Sequence, residues 1–387
     1  MFELSDNLQS LPPYLFVEID KAKRKARAEG RDVIDFGIGD PDQPTPGYVI
    51  DALCRAARDP ANHRYALDQG IPLLRESICA WYRKRFSVSL DPEKGVLPLI
   101  GSKEGIAHFP AAFLNAGDYS LVPDPCYPPY KGGTILAGGR VHLMPLKEDN
   151  SFLPDFKSIP ESVLKKAKII FLNYPNNPTG RTADKVFFSE AVAFALKHGL
   201  ILVSDLAYSE MSYDGYKPGS MLEIEGAGDC VIEFHSLSKT CNMTGWRVGW
   251  ACGNSFLVSA LAKVKSNIDS GIFTALQYAG AAALDNSAAQ TDAMSALYRE
   301  RRDILVGGLR KLGWRVHSPG ATFYLWFKVP DPQKSSMEYA AYLLDKADII
   351  VTPGVGFGEN GEGYLRMALT VPAERIKEAL KRLEKLL

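Results

Sequence analysis

Apolar and polar positions follow two alternating rhythms along the chain. Short, nearly continuous apolar runs at Val96–Ile100, Tyr119–Val122, Val141–Met144, Lys168–Asn173, Leu200–Ser204, Val231–His235 and Val248–Ala251 read as strands. Between several of them the apolar residues recur every three or four positions, as on one face of a helix, at Gly105–Leu114, Ala183–Lys197 and Ser255–Lys265. Two further amphipathic patterns, Leu15–Glu29 (closed by Gly30) and Leu73–Phe86, precede them. Strands alternating with helices make βα units, so the pattern predicts an α/β fold with a mostly parallel sheet and a ligand crevice at the carboxyl ends of its strands.

Beyond Gly271 the rhythm changes. Helical patterns at Ala275–Leu284 and Ala288–Leu312 lead to a strand at Thr322–Val329, a helix around Met337–Lys346, a strand at Tyr364–Leu369 and a closing helix from Pro372. This α+β texture predicts a second, smaller domain. The chain shows no internal repeat, low-complexity tract or long linker.

Composition narrows the function classes. The 387 residues suffice for two or three domains with a sizeable core. Lys+Arg and Asp+Glu are both 45, so the basic excess of a nucleic-acid binder is missing. The longest stretches without Asp, Glu, Lys or Arg, Val248–Ala262 and Ser270–Leu284, are too short and too rich in small residues to span a bilayer. Glu3 and Asp6, with no apolar run beside them, argue against a secretory leader. Six cysteines without a CxxC pair fit reduced thiols in a cytoplasmic protein. The histidines (63, 108, 142, 198, 235, 317) lack the H-x-H or H-x-x-x-H spacing of a metal site.

Two short motifs lack the context their chemistry needs. Gly356-Phe-Gly358-Glu-Asn-Gly361 has the form G-x-G-x-x-G but precedes a strand, so it reads as a glycine-rich loop instead of a dinucleotide turn. Ser236-Leu-Ser-Lys239 has the form S-x-x-K, but Ser5-Asp6-Asn7 precedes it and no K-T-G follows, against a serine acyl-transferase. Four segments remain: Asn176-Asn-Pro-Thr-Gly180, Asp205-Leu-Ala-Tyr208, Ser236 through Gly249, and Tyr364-Leu-Arg-Met-Ala-Leu369. The first three follow predicted parallel strands and converge on one crevice by the strand-end rule.

Together these segments, above all S-x-S-K-x-x-x-M-x-G-x-R-x-G, resemble the fold-type I, class I/II aminotransferases that use pyridoxal 5′-phosphate, and the likeness spans essentially the whole chain. The opening, Leu11 through Asp20 followed by Asp35 through Asp42, is most similar to the bacterial LL-diaminopimelate aminotransferase group. The resemblance implies a large domain over 45–285 with a mostly parallel seven-stranded sheet. It also implies a small α+β domain, formed by 1–44 with 286–387, that closes over the substrate.

It likewise implies site roles. Lys239 matches the lysine that carries the cofactor and shuttles a proton. Asp205 matches the carboxylate that keeps the pyridine nitrogen protonated, and Tyr208 and Asn177 match the donors to the ring's phenolic oxygen. Ser236, Ser238 and Arg247 resemble the phosphate ligands, joined by the amides of Ser102 and Lys103 where Gly101-Ser-Lys-Glu-Gly105 opens a helix. Tyr127 resembles the aromatic stacked on the ring. Tyr65 resembles a tyrosine reaching the neighbouring subunit's phosphate, which implies a homodimer with shared active sites. Arg366 offers the planar fork that an α-carboxylate needs, and Gly39 resembles the backbone that closes over the substrate. Lys103 and Tyr14 resemble substrate contacts of the diaminopimelate group, Tyr14 being equally readable as a hydrophobic anchor. The stretch Ser266–Gln277 lacks the arginine of the aspartate-type subgroup.

The function expected is reversible transamination of LL-2,6-diaminopimelate with 2-oxoglutarate, in lysine biosynthesis. Alternatives are transfer from aspartate, alanine or an aromatic amino acid, a β-lyase on the same scaffold, and a non-enzymatic regulator. The intact Lys239, Asp205 and Arg247 argue against the last.

Overall fold

The computed structural model describes residues 2–12, 15–66 and 69–386, the side chains of 15–17 excepted. Its strands are β1 (Ile34–Asp35), β2 (Val96–Leu99), β3 (Tyr119–Asp124), β4 (Arg140–Pro145), β5 (Ala167–Asn173), β6 (Ile201–Asp205), β7 (Val231–Ser236), β8 (Gly249–Gly253), β9 (Tyr324–Lys328), β10 (Ile349–Ile350), β11 (Thr352–Pro353) and β12 (Tyr364–Ala368).

Seven of these form one sheet in the order β2-β8-β7-β6-β5-β3-β4. It is the expected mostly parallel sheet, with β8 running against both of its neighbours. The central strands read as continuous apolar runs because helices cover both faces. On one face Ile170, Leu172 and Leu202 pack with Phe187, Phe188, Ala191, Val192 and Ala195 of the helix Lys185–His198. On the other, Ile169, Phe171, Val203, Ile232 and Phe234 meet Ile106, Phe109, Tyr130 and Leu257, Val258 and Leu261.

The remaining strands form smaller sheets. β11, β12 and β9 make an antiparallel sheet, and β1 pairs with β10 in parallel, so residue 34 lies opposite residue 349. Ile34 and Phe36 therefore join a core made mostly by residues from Tyr298 to Leu383. Among the described residues no helix is long and apolar enough to cross a membrane. The six cysteines are free and all but Cys54 are buried.

Several elements differ from expectation for local reasons. The helix expected over Gly105–Leu114 starts at Ser102 and tightens into a 3-10 turn at Phe109–Ala112, where Pro110 has no amide to donate. The strand expected from Thr322 starts at Tyr324, because Thr322 has a left-handed φ of 66°. Two helices, Gly47–Ala57 and Pro129–Leu136, were not expected at all. The second contains Gly132-Gly133, which reads as a helix breaker. At Gly133 the residue serves close packing: a Cβ there would come within 2.6 Å of the Ala107 carbonyl oxygen on the neighbouring helix.

Candidate active site

The sheet register brings three polar clusters level. Asn173 ends β5, Asp205 ends β6 directly opposite it, and Ser236 ends β7 opposite Gly249 of β8. These strand ends open into a cleft of about 500 Å³, lined by Asn177, Asp205, Tyr208, Ser236, Ser238, Lys239 and Arg247 from the sheet side. Gly37–Gly39, Tyr324, Phe357 and Arg366 close it from the opposite side, with Ser102, Lys103 and Tyr127 at its flank.

Asp205 lies at the bottom. Its Oδ2 accepts the Tyr130 hydroxyl at 2.7 Å and its Oδ1 the Ala207 amide at 3.3 Å. Both partners are neutral, and burial pushes the carboxyl up to about 6 against the lowering effect of these two donors. Asn173 braces the turn beside it. Its Nδ2 donates to the Asp205 carbonyl at 2.7 Å and its Oδ1 accepts the Asn177 amide at 2.8 Å. Asn176 is a turn staple, accepting the Thr179 amide and hydroxyl on its Oδ1.

Lys239 follows β7 on the one-turn helix Leu237–Thr240, and its Nζ donates to the Gly39 carbonyl at 2.7 Å. Burial lowers its ammonium to about 8; Asp40 opposes this shift, and Arg366 and Arg247 add to it. Gly39 is glycine because a Cβ there would run into the Tyr324 phenol. The Tyr324 hydroxyl lies 3.2 Å from that of Tyr208, and burial holds the Tyr208 phenol well above its ordinary range, so it stays protonated.

A second group of donors gathers where β7, β8 and the helix Ser102–His108 meet. The Ser236 Oγ accepts the Ser238 amide at 3.1 Å and donates to the Ser238 Oγ at 2.8 Å. Arg247, in a left-handed conformation at φ 56°, donates through Nη1 to the Thr244 carbonyl at 2.9 Å. A Cβ on Gly101 would strike the Arg247 guanidinium, and one on Gly249 would come within 2.7 Å of the Ser102 amide nitrogen. Both glycines thus keep a cup lined by amides, hydroxyls and a guanidinium clear.

Arg366, buried on β12, donates Nη1 to Asn177 Oδ1 at 3.0 Å and Nη2 to the Gly37 carbonyl at 2.7 Å. Its guanidinium carbon lies 4.1 Å from the Tyr324 ring centroid and 4.7 Å from that of Phe357. Rings over the guanidinium leave its in-plane edges for hydrogen bonding, the geometry that reads a carboxylate.

Of the residues expected from the sequence, the cleft thus brings together Gly39, Ser102, Lys103, Tyr127, Asn177, Asp205, Tyr208, Ser236, Ser238, Lys239, Arg247 and Arg366. Tyr65 lies apart, 89% exposed beside Ser270–Phe273. Tyr14 falls outside the described residues. Sequence reasoning missed Tyr130, Asn173, Tyr324 and Phe357. Asn173 is legible in hindsight as the polar end of an apolar strand, whereas the three aromatics look like core.

The sequence profile of the family Aminotransferase class I and II matches residues 31–383. An LL-diaminopimelate aminotransferase of Halothermothrix orenii is 52% identical over 382 residues, 99% of this chain and 98% of that protein. The substrate-bound BacF structure from Bacillus subtilis superposes with a TM-score of 0.97 at 38% identity, covering 100% of this chain and 98% of that one. A mutant aspartate aminotransferase of Thermus thermophilus gives 0.93 at 30% identity, with full coverage of both chains. With the profile spanning most of its length and relatives at this identity, the chain belongs to the class I and II aminotransferases, enzymes that carry out transamination.

Proposed function

We propose that the enzyme transfers the amino group of LL-2,6-diaminopimelate to 2-oxoglutarate with pyridoxal 5′-phosphate as cofactor, a cytoplasmic step of lysine biosynthesis. The family implies the cofactor. The residues of the cleft fit it: a buried carboxylate with only neutral partners suits a pyridinium nitrogen, and the cup kept clear by Gly101 and Gly249 suits a phosphate. When bound, the cofactor supplies an electron sink for the bonds at the substrate Cα.

The chain's own groups then have these tasks. Ser236, Ser238, Arg247 and the Ser102 and Lys103 amides hold the phosphate. Asp205 holds a proton on the ring nitrogen, and Tyr208 and Asn177 donate to the phenolic oxygen. Tyr127 stacks on the ring. Arg366 fixes the α-carboxylate, and Lys239 Nζ moves the proton on and off the substrate Cα. Residues 1–44 with 286–387 act as the smaller body that closes on 45–285 and excludes water.

The observation that carries this reading is the meeting of Asp205, Lys239 and Arg366 around one cleft. A panel of amino donors with 2-oxoglutarate tests it, read as glutamate formed. LL-diaminopimelate should outperform aspartate. If aspartate or an aromatic amino acid is at least about tenfold better, the donor assignment fails and amino transfer itself stands. Ammonia with pyruvate in place of glutamate would mark a lyase.

Lys103, at the flank of the cleft, is the candidate for the distal carboxylate. Lys103→Ala should lower kcat/KM for dicarboxylic substrates about 30-fold or more and change alanine little, since truncating one partner of a desolvated charge pair costs about 2–5 kcal/mol. An equal loss for both substrates would remove Lys103 from this role.

The exposure of Tyr65, with Phe273 half-exposed beside it, supports a homodimer in which Tyr65 serves the other subunit's site. Hybrid dimers of a Tyr65→Phe subunit and a Lys239→Ala subunit test this. With shared sites, one site of the hybrid carries both defects and the other neither, so about half the wild-type activity per dimer survives. Weak cofactor binding confined to the Tyr65→Phe subunit's own Lys239 rules sharing out.

A further inference from the structure

The glycine-rich motif Gly356–Gly361 has no dinucleotide context, yet it occupies an unusual place. It forms two consecutive 3-10 turns, Gly354–Phe357 and Glu359–Gly361, pressed against the end of β3. Asp124, the last residue of β3, is fully buried. Its Oδ1 accepts Lys131 Nζ at 2.5 Å, and its Oδ2 accepts both the backbone amide of Asn360, at 2.9 Å, and the Asn360 side-chain Nδ2, at 2.7 Å. Two residues on, the Cys126 amide donates to the Phe357 carbonyl at 2.9 Å. Gly358, at φ 141°, is forced by this approach, because a Cβ there would occupy the position of Asp124 Oδ1.

The turn and the substrate side of the cleft meet at Phe357. Its ring is buried, lines the cleft and lies over the Arg366 guanidinium. Asp124 and Lys131 belong to the large sheet and to the helix Pro129–Leu136, which are fixed by the core. Asn360 itself is exposed and contributes nothing to a core.

We propose that Gly356–Gly361 is a latch: Asn360 seats the turn on the buried carboxylate of Asp124, and the seated turn holds Phe357 against Arg366, setting how tightly the site grips the substrate's α-carboxylate. The inference rests on the reading of Arg366 given above. Asn360 and Asp124 are positioning residues, because they touch neither substrate nor cofactor and act through Phe357. A released turn uncovers one face of Arg366, admits water to it and loosens its fork, while the cofactor cup where β7, β8 and the helix Ser102–His108 meet is unaffected.

The test uses Asn360→Ala, which removes the side-chain donor, and Asn360→Asp, which sets a second carboxylate against Asp124. Four quantities are read: KM for 2-oxoglutarate, KM for L-glutamate, kcat, and the Kd for pyridoxal phosphate measured by absorbance on the cofactor-free protein. Expected is a rise in both KM values, about threefold for Asn360→Ala and tenfold or more for Asn360→Asp, the scale of one cation–π contact. kcat and the cofactor Kd stay within about twofold, and Glu359→Gln, exposed on the same turn, changes nothing. Unchanged KM values in both variants overturn the latch. So does a parallel loss of cofactor affinity, which a general loosening of the fold would give. If Asn360→Asp does not fold, the KM of Asn360→Ala decides. Wild-type protein that neither binds the cofactor nor forms glutamate would instead overturn the functional reading, and the latch's role with it.

Discussion

Lys239→Ala is expected to lower amino transfer by at least about 10³-fold, because on the proposed reading one substitution removes both the covalent attachment point and the proton relay. The structure explains why this lysine suits the task. Burial, with Arg366 and Arg247 nearby, brings its ammonium down to about 8, Asp40 pulling the other way. About a tenth of Nζ is therefore the neutral nucleophile at pH 7, against well under about a hundredth for an ordinary lysine. The sign follows directly. Below about pH 8 the group is mostly protonated, so the rate at which the cofactor-free protein takes up pyridoxal phosphate should rise about tenfold per pH unit towards 8 and level off above it. Stopped-flow absorbance measures that profile, and borohydride reduction with peptide mapping locates the attachment. A label on another lysine, or a variant retaining more than a few per cent of turnover, removes Lys239 from its place.

What could be read along the chain was what the chain keeps contiguous. Ser236, Ser238, Lys239 and Arg247 lie within one strand, turn and strand, so their spacing survives folding as a pattern. Asp205 was legible because an apolar strand ends on a lone acid, and parallel strands present such ends to one crevice. The mostly parallel sheet was visible for a related reason: its central strands, buried on both faces, are nearly continuous apolar runs. The aromatic frame was not visible. Tyr130 hydrogen-bonds Asp205 across 75 positions, and Tyr324 meets Tyr208 across 116, yet each reads as one more core aromatic until the fold places its hydroxyl. The pairing of β1 with β10 is two residues long on each side and spans most of the chain, so it leaves no periodicity to detect. The glycine-rich turn was read as a loop without dinucleotide context, but nothing in its spacing shows that Gly358 is there to admit the Asp124 carboxylate.

Asp205→Asn should fold normally and retain a weakened cofactor, yet lose at least about 10²-fold in turnover. The buried carboxylate faces the cleft with only the Tyr130 hydroxyl and the Ala207 amide as partners, and burial pushes it up to about 6. A cation brought beside it reverses that shift, since the nearby opposite charge favours the ionised form. The amide of the variant has the same shape and can still accept from Tyr130 or Ala207, so packing is preserved. It has no charge with which to hold a proton on a ring nitrogen, and breaking a buried pair by neutralising one partner costs about 3–5 kcal/mol, which corresponds to the loss expected. Tyr130→Phe should fall between the two proteins. Removing a donor that lowers the Asp205 carboxyl moves its titration further up, so cofactor affinity should weaken on the acid side of pH 7 and recover above it. Single-turnover rates with the cofactor saturated, together with the cofactor Kd at several pH values, separate these effects. Turnover in Asp205→Asn within about threefold of the wild type would mean that the acid at the end of β6 serves packing, and that the ring nitrogen is held by another group.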